Sequence, residues 1–311
     1  MCGIAGIIYR DTSDQHDIGL DMTRMLQSMK HRGPDSTGYA LYGPAGTGVL
    51  VRYKLADSNS PRDFDYLDRL SRHQAEVQSR MQSLGAKVLS SHAETEYAYR
   101  VTLEYTGDLK KLVDYVEDVP EAEVLSIGHS LEIVKDLGDA EQVAEQYELK
   151  SFEGTHAIGH VRMATESDVD ISGAHPYWAY PFSDVAVVHN GQLTNYFYWR
   201  RRLERSGHRF QSECDSEIIA VYLAERMAEG LTLEDSMRQS LEELDGVFTY
   251  MCVTADALGV CKDEMAAKPL VLYEGEDMVA MASEEIAIRA VLDREIETYD
   301  PYESEVLVWT R

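Results

Sequence analysis

Cysteine and positive charge are both scarce in this chain of 311 residues. Its four cysteines are Cys2, Cys214, Cys252 and Cys261, and they show no CxxC spacing. They are too few and too scattered for a disulfide scaffold, so a reducing, cytoplasmic setting is expected. Cys214, Cys252 and Cys261 sit in apolar or helical contexts and read as small core residues. Lys and Arg total 29 against 55 Asp and Glu, a formal net charge of -26. That balance excludes docking through nucleic-acid phosphates or on anionic membranes, which needs clustered cations. It fits simple solubility, or an acidic face that meets a basic partner. No apolar run approaches the roughly 18 residues that a membrane helix requires, and no basic segment followed by an apolar one reads as a signal peptide. Internal repeats, low-complexity runs, a P-loop and a GxGxxG element are also missing.

What is present suffices for a substantial core, since 44% of residues are hydrophobic. "CGIAGIIYR" reads as a buried strand. In the next segment Leu20, Met22, Met25, Leu26 and Met29 share a helical face, and Gly33 stops the helix. "TGYALYGPAGTGVLVRYKL" reads as a hairpin about a Gly/Pro turn. After the polar stretch "DSNSPRDF", residues 56–150 alternate helix and strand, with "AEVLSIGHSLEIVKDL" read as a strand pair. That is a self-contained α+β module of roughly 90 residues, inserted in a domain spanning 1–311. Strands return at "THAIGHVRMATES", helices follow, Gly246 is read as a helix cap, and strands close the chain. The expected architecture is α+β, with two antiparallel sheets and helices outside them.

Cys2 directly follows the initiator methionine. If Met1 is removed, one residue carries both a thiol and a free α-amine. The thiolate is the nucleophile, and an α-amino group titrating near ~7.7–8 serves as its base. The plainer reading of Cys2 is a small residue at a sheet edge. Further along stand "HRGPDSTG" with His31 and Arg32, "GHVRMAT" with Arg162 and Thr165, "GAHPY" with His175, "HNGQL" with Asn190 and Gly191, and "ECDSE" with Asp215. Singly these read as surface charges, a hairpin turn and a loop histidine. His156, His160 and His189 raise the question of a metal, but lie on strands without carboxylate or cysteine ligand spacing; no metal is expected.

Taken in this order, the motifs resemble class II glutamine amidotransferase domains, members of the N-terminal-nucleophile hydrolases. The resemblance implies a four-layer αββα sandwich. It also implies that Cys2 attacks the side-chain amide of glutamine, that Asn190 and Gly191 form the oxyanion hole, and that Arg162 and Asp215 hold the α-carboxylate and α-ammonium. His175, Thr165 and Arg32 fall on the substrate side, Arg32 by fixing backbone beside the nucleophile. Met163 and Glu166 depart from the pattern, since many members carry an aromatic residue at the first position and some a histidine at the second. The resemblance further implies that ammonia passes to a synthase subunit on another polypeptide, in a glutamate synthase-like or N-methylglutamate synthase assembly. This chain would carry no cofactor, and the partner would carry FMN, with an iron–sulfur cluster a further candidate there. Two rival readings stay open: a catalytically silent scaffold, and an amide hydrolase with another substrate.

Overall fold

The computed structural model describes residues 2–11, 15–163 and 171–311. Strand β1 (Gly3–Tyr9) leads to helix α1 (Ile18–Ser28) and strand β2 (Ser36–Tyr42). Then come β3 (Val49–Lys54), α2 (Tyr66–Ser83), β4 (Lys87–Ala93), β5 (Ala98–Glu104), α3 (Leu109–Glu117), β6 (Glu123–Gly128), β7 (Leu131–Leu137) and α4 (Ala140–Gln146). The chain continues through β8 (His156–Arg162), β9 (Tyr177–Trp178), β10 (Ala186–Leu193), α5 (Tyr196–Arg205), α6 (Asp215–Ala228) and α7 (Leu233–Glu243). It ends with β11 (Gly246–Val253), β12 (Ala257–Lys262), β13 (Val271–Glu274), β14 (Met278–Ala282), α8 (Glu285–Arg289) and β15 (Val306–Thr310). Among the described residues no helix is long and apolar enough to cross a membrane.

Two antiparallel sheets form the centre. One has the order β13-β14-β1-β8-β2-β7, the other β15-β12-β11-β10-β9. The strand period of two decides which layer each side chain joins. In the second sheet, Val188, Met251 and Val253 point inward and share a core with the first sheet and with Met22, Met25 and Leu26 of α1. Their neighbours Val187, Tyr250 and Cys252 point outward and pack against Trp199 of α5, Tyr222 of α6 and Met237 of α7. The layers are therefore helix, sheet, sheet, helix, the αββα sandwich. Both sheets are covered on both faces, so their strands read as near-continuous apolar runs rather than as alternating ones.

A third antiparallel sheet, β4-β5-β3-β6, stands beside the sandwich with α2 and α3 packed on it. Here the expected strand pairs are corrected. β2 and β3 do not form a hairpin: β2 pairs with β7 and β8, whereas β3 pairs with β5 and β6. The intervening residues 43–48 are long enough to carry the chain from one sheet to the other, and each strand buries its side chains in its own sheet. β6 and β7 likewise separate, so the sheet of this unit begins at Val49 and ends at Gly128, while β7 returns to the sandwich. Gly246 is not a helix cap; it opens β11 opposite Leu193, and Leu244 closes α7.

One buried side chain joins the unit to the sandwich. The carboxylate of Asp184, just before β10, accepts the backbone N–H groups of His129, Ser130 and Leu131 at 2.9–3.0 Å, and the Ser130 hydroxyl at 3.1 Å. These donors form the β6–β7 turn, and a buried N–H left unpaired costs about 1–3 kcal/mol. Asp184→Ala is therefore expected to lower the unfolding free energy by about 3 kcal/mol or more in a urea titration. A loss below about 1 kcal/mol would show that water replaces the carboxylate at this turn.

Candidate active site

β1 lies between β14 and β8 and pairs with β8 from Gly3 and with β14 from Ala5, so the strand that directly follows Cys2 is held on both edges. An end that would otherwise fray is held inside a sheet. The backbone of Cys2 is fixed further by side chains: its carbonyl accepts from Arg32 Nε at 3.2 Å and from Asn190 Nδ2 at 3.3 Å. Arg32 is itself paired with Glu284, which His31 also contacts.

Cys2 borders a cavity of about 720 Å³. Arg162, His175, Asn190, Gly191 and Asp215 line the same cavity, so five expected residues from four distant segments meet the thiol there. Strand alternation explains the arrangement. On β8, His160 and Arg162 point the same way, and both line the cavity. On β10, His189 faces α6 while Asn190 faces Cys2. The Arg162 guanidinium lies against Gly173, where a Cβ would come within 3.0 Å of its nitrogens. Gly191 has φ +144°, and a Cβ there would meet the carbonyl oxygen of Val247 at 2.1 Å, so only glycine fits. Asp215 opens α6, and its carboxylate accepts the N–H of Leu193 at 2.7 Å, which ties the helix start to β10. Arg32 is on the other side of Cys2, lining a second cavity of about 360 Å³ with Lys268 and Gln192. Its role in this structure is to hold Cys2 backbone, not to line the larger cavity. Thr165 and Glu166 fall outside the described residues.

Sequence reasoning missed part of the site. Ser283 follows β14, accepts the N–H of Ile4 at 3.0 Å and lies 3.3 Å from Asn190 Nδ2, so it orients the asparagine. No local motif marks it; only the pairing of β14 with β1 brings it there. Cys214, expected in the core, instead lines the cavity beside Asp215. Burial, with help from the Asp215 charge, pushes its thiol above the ordinary cysteine value, which keeps it protonated and a poor nucleophile. Cys252 and Cys261 are buried, as read.

The histidines group differently from the trio considered in the sequence. His156 stacks on Tyr42 with ring centroids 4.2 Å apart and bonds the carbonyl of Thr254, away from the cavity. His160, His175 and His189 meet instead on the cavity wall, and the Ser216 hydroxyl bridges His175 Nε2 at 2.5 Å and His189 Nδ1 at 2.7 Å. Among the described residues no group of three His, Cys, Asp or Glu side chains has the arrangement of a metal site. Burial pushes His160 down to about 3 and His175 well below its ordinary value; it also lowers His189, against the opposing pull of Asp215. All three are neutral at pH 7, so the cation facing an anionic group in the cavity is Arg162.

The αββα sandwich and the cavity that borders Cys2 together set the fold beside which the comparisons stand. The profile of a family described as a glutamine amidotransferase domain matches residues 160–290. A protein of Methanothermobacter thermautotrophicus named as a glutamine amidotransferase is 39% identical over 312 residues, covering 98% of this chain and 99% of its own. The glutamine amidotransferase-like protein GlxB of Rhizobium meliloti is 35% identical over 310 residues, covering 99% and 98%. Among solved structures, the glutamine phosphoribosylpyrophosphate amidotransferase of B. subtilis superposes with a TM-score of 0.60 at 19% identity, over 99% of this chain and 47% of that one. At that identity the likeness concerns the fold, and this chain spans about half of the solved protein. The chain belongs to the class II glutamine amidotransferases.

The neutral histidines make a pH prediction. The unfolded chain protonates His160 near pH 6.5, whereas the folded chain resists until about 3. Stability is thus complete above pH ~6.5 and is lost as the pH falls. The stability difference between the wild type and His160→Gln is expected to be constant above pH ~6.5 and to shrink below it by up to about 1.4 kcal/mol per pH unit. Denaturant titrations from pH 8 to pH 4 measure this. A pH-independent difference would mean that solvent protonates His160 in the folded state.

Proposed function

We propose that this amidotransferase hydrolyses glutamine through a glutamyl thioester on Cys2 and passes the ammonia to a synthase subunit on a separate polypeptide. The observation that carries the reading is the single cavity bordered by Cys2, Asn190, Gly191, Arg162 and Asp215. In this reading Arg162 takes the α-carboxylate by a two-pronged charge-assisted bond, and Asp215 takes the α-ammonium. The amide end is then directed at Cys2. The thiol gives its proton to the α-amine of the same residue, bared by loss of Met1, and sulfur attacks the amide carbon. Asn190 Nδ2 and the Gly191 N–H stabilise the oxyanion. The C–N bond breaks, the nitrogen takes the proton from the α-ammonium and leaves as ammonia, and water then releases glutamate from the thioester. His175 shapes the pocket, and Arg32 keeps Cys2 backbone in place.

A separate acceptor site is supported by the two full-length relatives, which this chain matches over 99% and 98% of their own lengths. The sequence carries no glycine-rich phosphate loop in addition. The acceptor assembly that best fits a chain of this kind is glutamate synthase-like or an N-methylglutamate synthase, with flavin on the partner. Four free cysteines fit a reducing cytoplasm.

Steady-state glutaminase assays separate the proposed roles. Arg162→Lys loses the two-pronged contact and is expected to raise KM for glutamine by about 10- to 100-fold with little change in kcat. Asn190→Ala is expected to lower kcat by about 10²–10³ with little change in KM. An unchanged KM for Arg162→Lys would remove that residue from substrate binding. Undiminished kcat for Asn190→Ala would remove the oxyanion assignment.

A further inference from the structure

We propose that the four-stranded unit positions one wall of the glutamine cavity, and that Glu117 at the end of α3 is the residue through which it does so. The inference rests on the reading of the shared cavity as the glutamine site.

That wall is the segment between α5 and α6, which has no regular structure of its own. Gln211, Ser212, Glu213 and Cys214 from it line the cavity directly ahead of Asp215. Such a segment is placed by whatever satisfies its polar groups. From the side of α6, the Glu217 carboxylate accepts the N–H groups of Gln211 and Ser212, both at 2.9 Å, and the Ser212 hydroxyl at 2.7 Å. These bonds fix the backbone next to Asp215. The side chains at the far end are held by a different element. Arg209 Nε donates to Asp114 Oδ1 of α3 at 2.7 Å, and its Nη2 pairs with Glu117. The Arg209 guanidinium lies 4.2 Å from the ring centre of Tyr180, which in turn bonds Asp114. The amide nitrogen of Gln211 donates to Glu117.

Glu117 is suited to act as an anchor. Its side chain is only 9% exposed, and the backbone N–H of Val124 donates to its Oε1 at 2.7 Å, so the third sheet's own backbone fixes the carboxylate. Two groups of the wall then meet one rigid acceptor; burial pushes the Glu117 carboxyl up to about 7, and Arg209 and the Val124 N–H oppose that rise by favouring the carboxylate, whose charge-assisted bonds are about twice as strong as neutral ones. Gln211 is the direct link. It borders both the glutamine cavity and a separate cavity of about 270 Å³ that Glu117, Lys135 and Arg209 also line. Releasing Glu117 frees the Gln211 side chain and leaves Arg209 with only Asp114 and Tyr180, so the end of the wall beside Gln211 loses its direct tie while Glu217 and the Arg200 bond to the Ser212 carbonyl at 2.7 Å hold the end beside Asp215. The expected consequence is weaker glutamine binding with an intact nucleophile, because Cys2 and Asn190 are held by β1, β10 and β14.

The test uses the full chain and a readout independent of turnover. Cys2 is alkylated with iodoacetamide, and the glutamine concentration that halves the rate is measured. For Glu117→Ala and Arg209→Ala that concentration is expected to rise about 3- to 30-fold, while the rate without glutamine stays within about twofold. The double variant is expected to be no worse than the weaker-binding single one, because the two residues act as a unit. Glu117→Gln keeps an acceptor for Val124 and Gln211 but loses the charge facing Arg209, and is expected to fall between wild type and Glu117→Ala. If Glu117→Ala does not fold, Arg209→Ala and Glu117→Gln supply the same measurement of glutamine protection. Unchanged protection in folded variants overturns the positioning role, as does a rate without glutamine that falls in step with thermal stability. Cys2→Ala distinguishes the levels: retained glutaminase activity overturns the site reading and this inference together, whereas an inactive Cys2→Ala with unchanged protection at 117 and 209 overturns the inference alone.

Discussion

The site depends on how the chain's first residues are held. β1 is hydrogen-bonded along both edges, and the carbonyl of Cys2 takes donors from Arg32 and Asn190. In the proposed mechanism Cys2 uses its own backbone nitrogen as base, and such a nucleophile cannot be placed by side-chain rotamers alone; the backbone itself must be fixed. The sequence spends two residues on this, and the two come from opposite sides of the thiol. Arg32 is anchored by Glu284, and Asn190 by Ser283. Adjacent residues after β14 therefore hold both of the groups that hold Cys2.

The remainder of the cavity follows from the two-sheet core. Alternation along β8 and β10 delivers Arg162 and Asn190 to the cavity and keeps their neighbours on the other faces, Val161 and Val187, in the packing. One wall is built from neutral, buried imidazoles bridged by Ser216, so the charged side chains that line the cavity are Arg162, Glu213 and Asp215. In the proposed reading, Arg162 and Asp215 are the pair that reads the two ends of a free amino acid in a partly dehydrated site. The second thiol there, Cys214, is pushed toward its protonated form by the same burial and by Asp215.

Much of this was legible in the sequence because it is carried by short motifs on strand ends and helix starts. Cys2, Arg162, His175, Asn190, Gly191 and Asp215 each sit in a local pattern, and the sandwich brings them to one cavity. What escaped depends on long-range pairing. Ser283 and Glu284 lie in "ASEE", a plain helix-start pattern, and acquire a role only through β14 beside β1. His160 and His189 were visible but were grouped with His156, because sequence distance does not show that His156 packs on Tyr42 instead. The hairpin expected across residues 43–48 failed for a related reason: a Gly/Pro-rich turn signals a change of direction but not the sheet to which the next strand belongs. The tie from α3 to the cavity wall has no sequence signature at all, since Glu117 and Arg209 are an ordinary acidic and an ordinary basic residue until the fold joins them.

The most direct test of the account asks which thiol reacts, and in what covalent state. The protein is treated with a glutamine analogue that carries an electrophilic ketone in place of the side-chain amide, and the product is mapped by intact-mass and peptide mass spectrometry. The account predicts a single adduct per chain, on Cys2 in a terminal peptide that lacks Met1, suppressed by excess glutamine. An adduct on Cys214, or a labelled terminal peptide that still carries Met1, would contradict it.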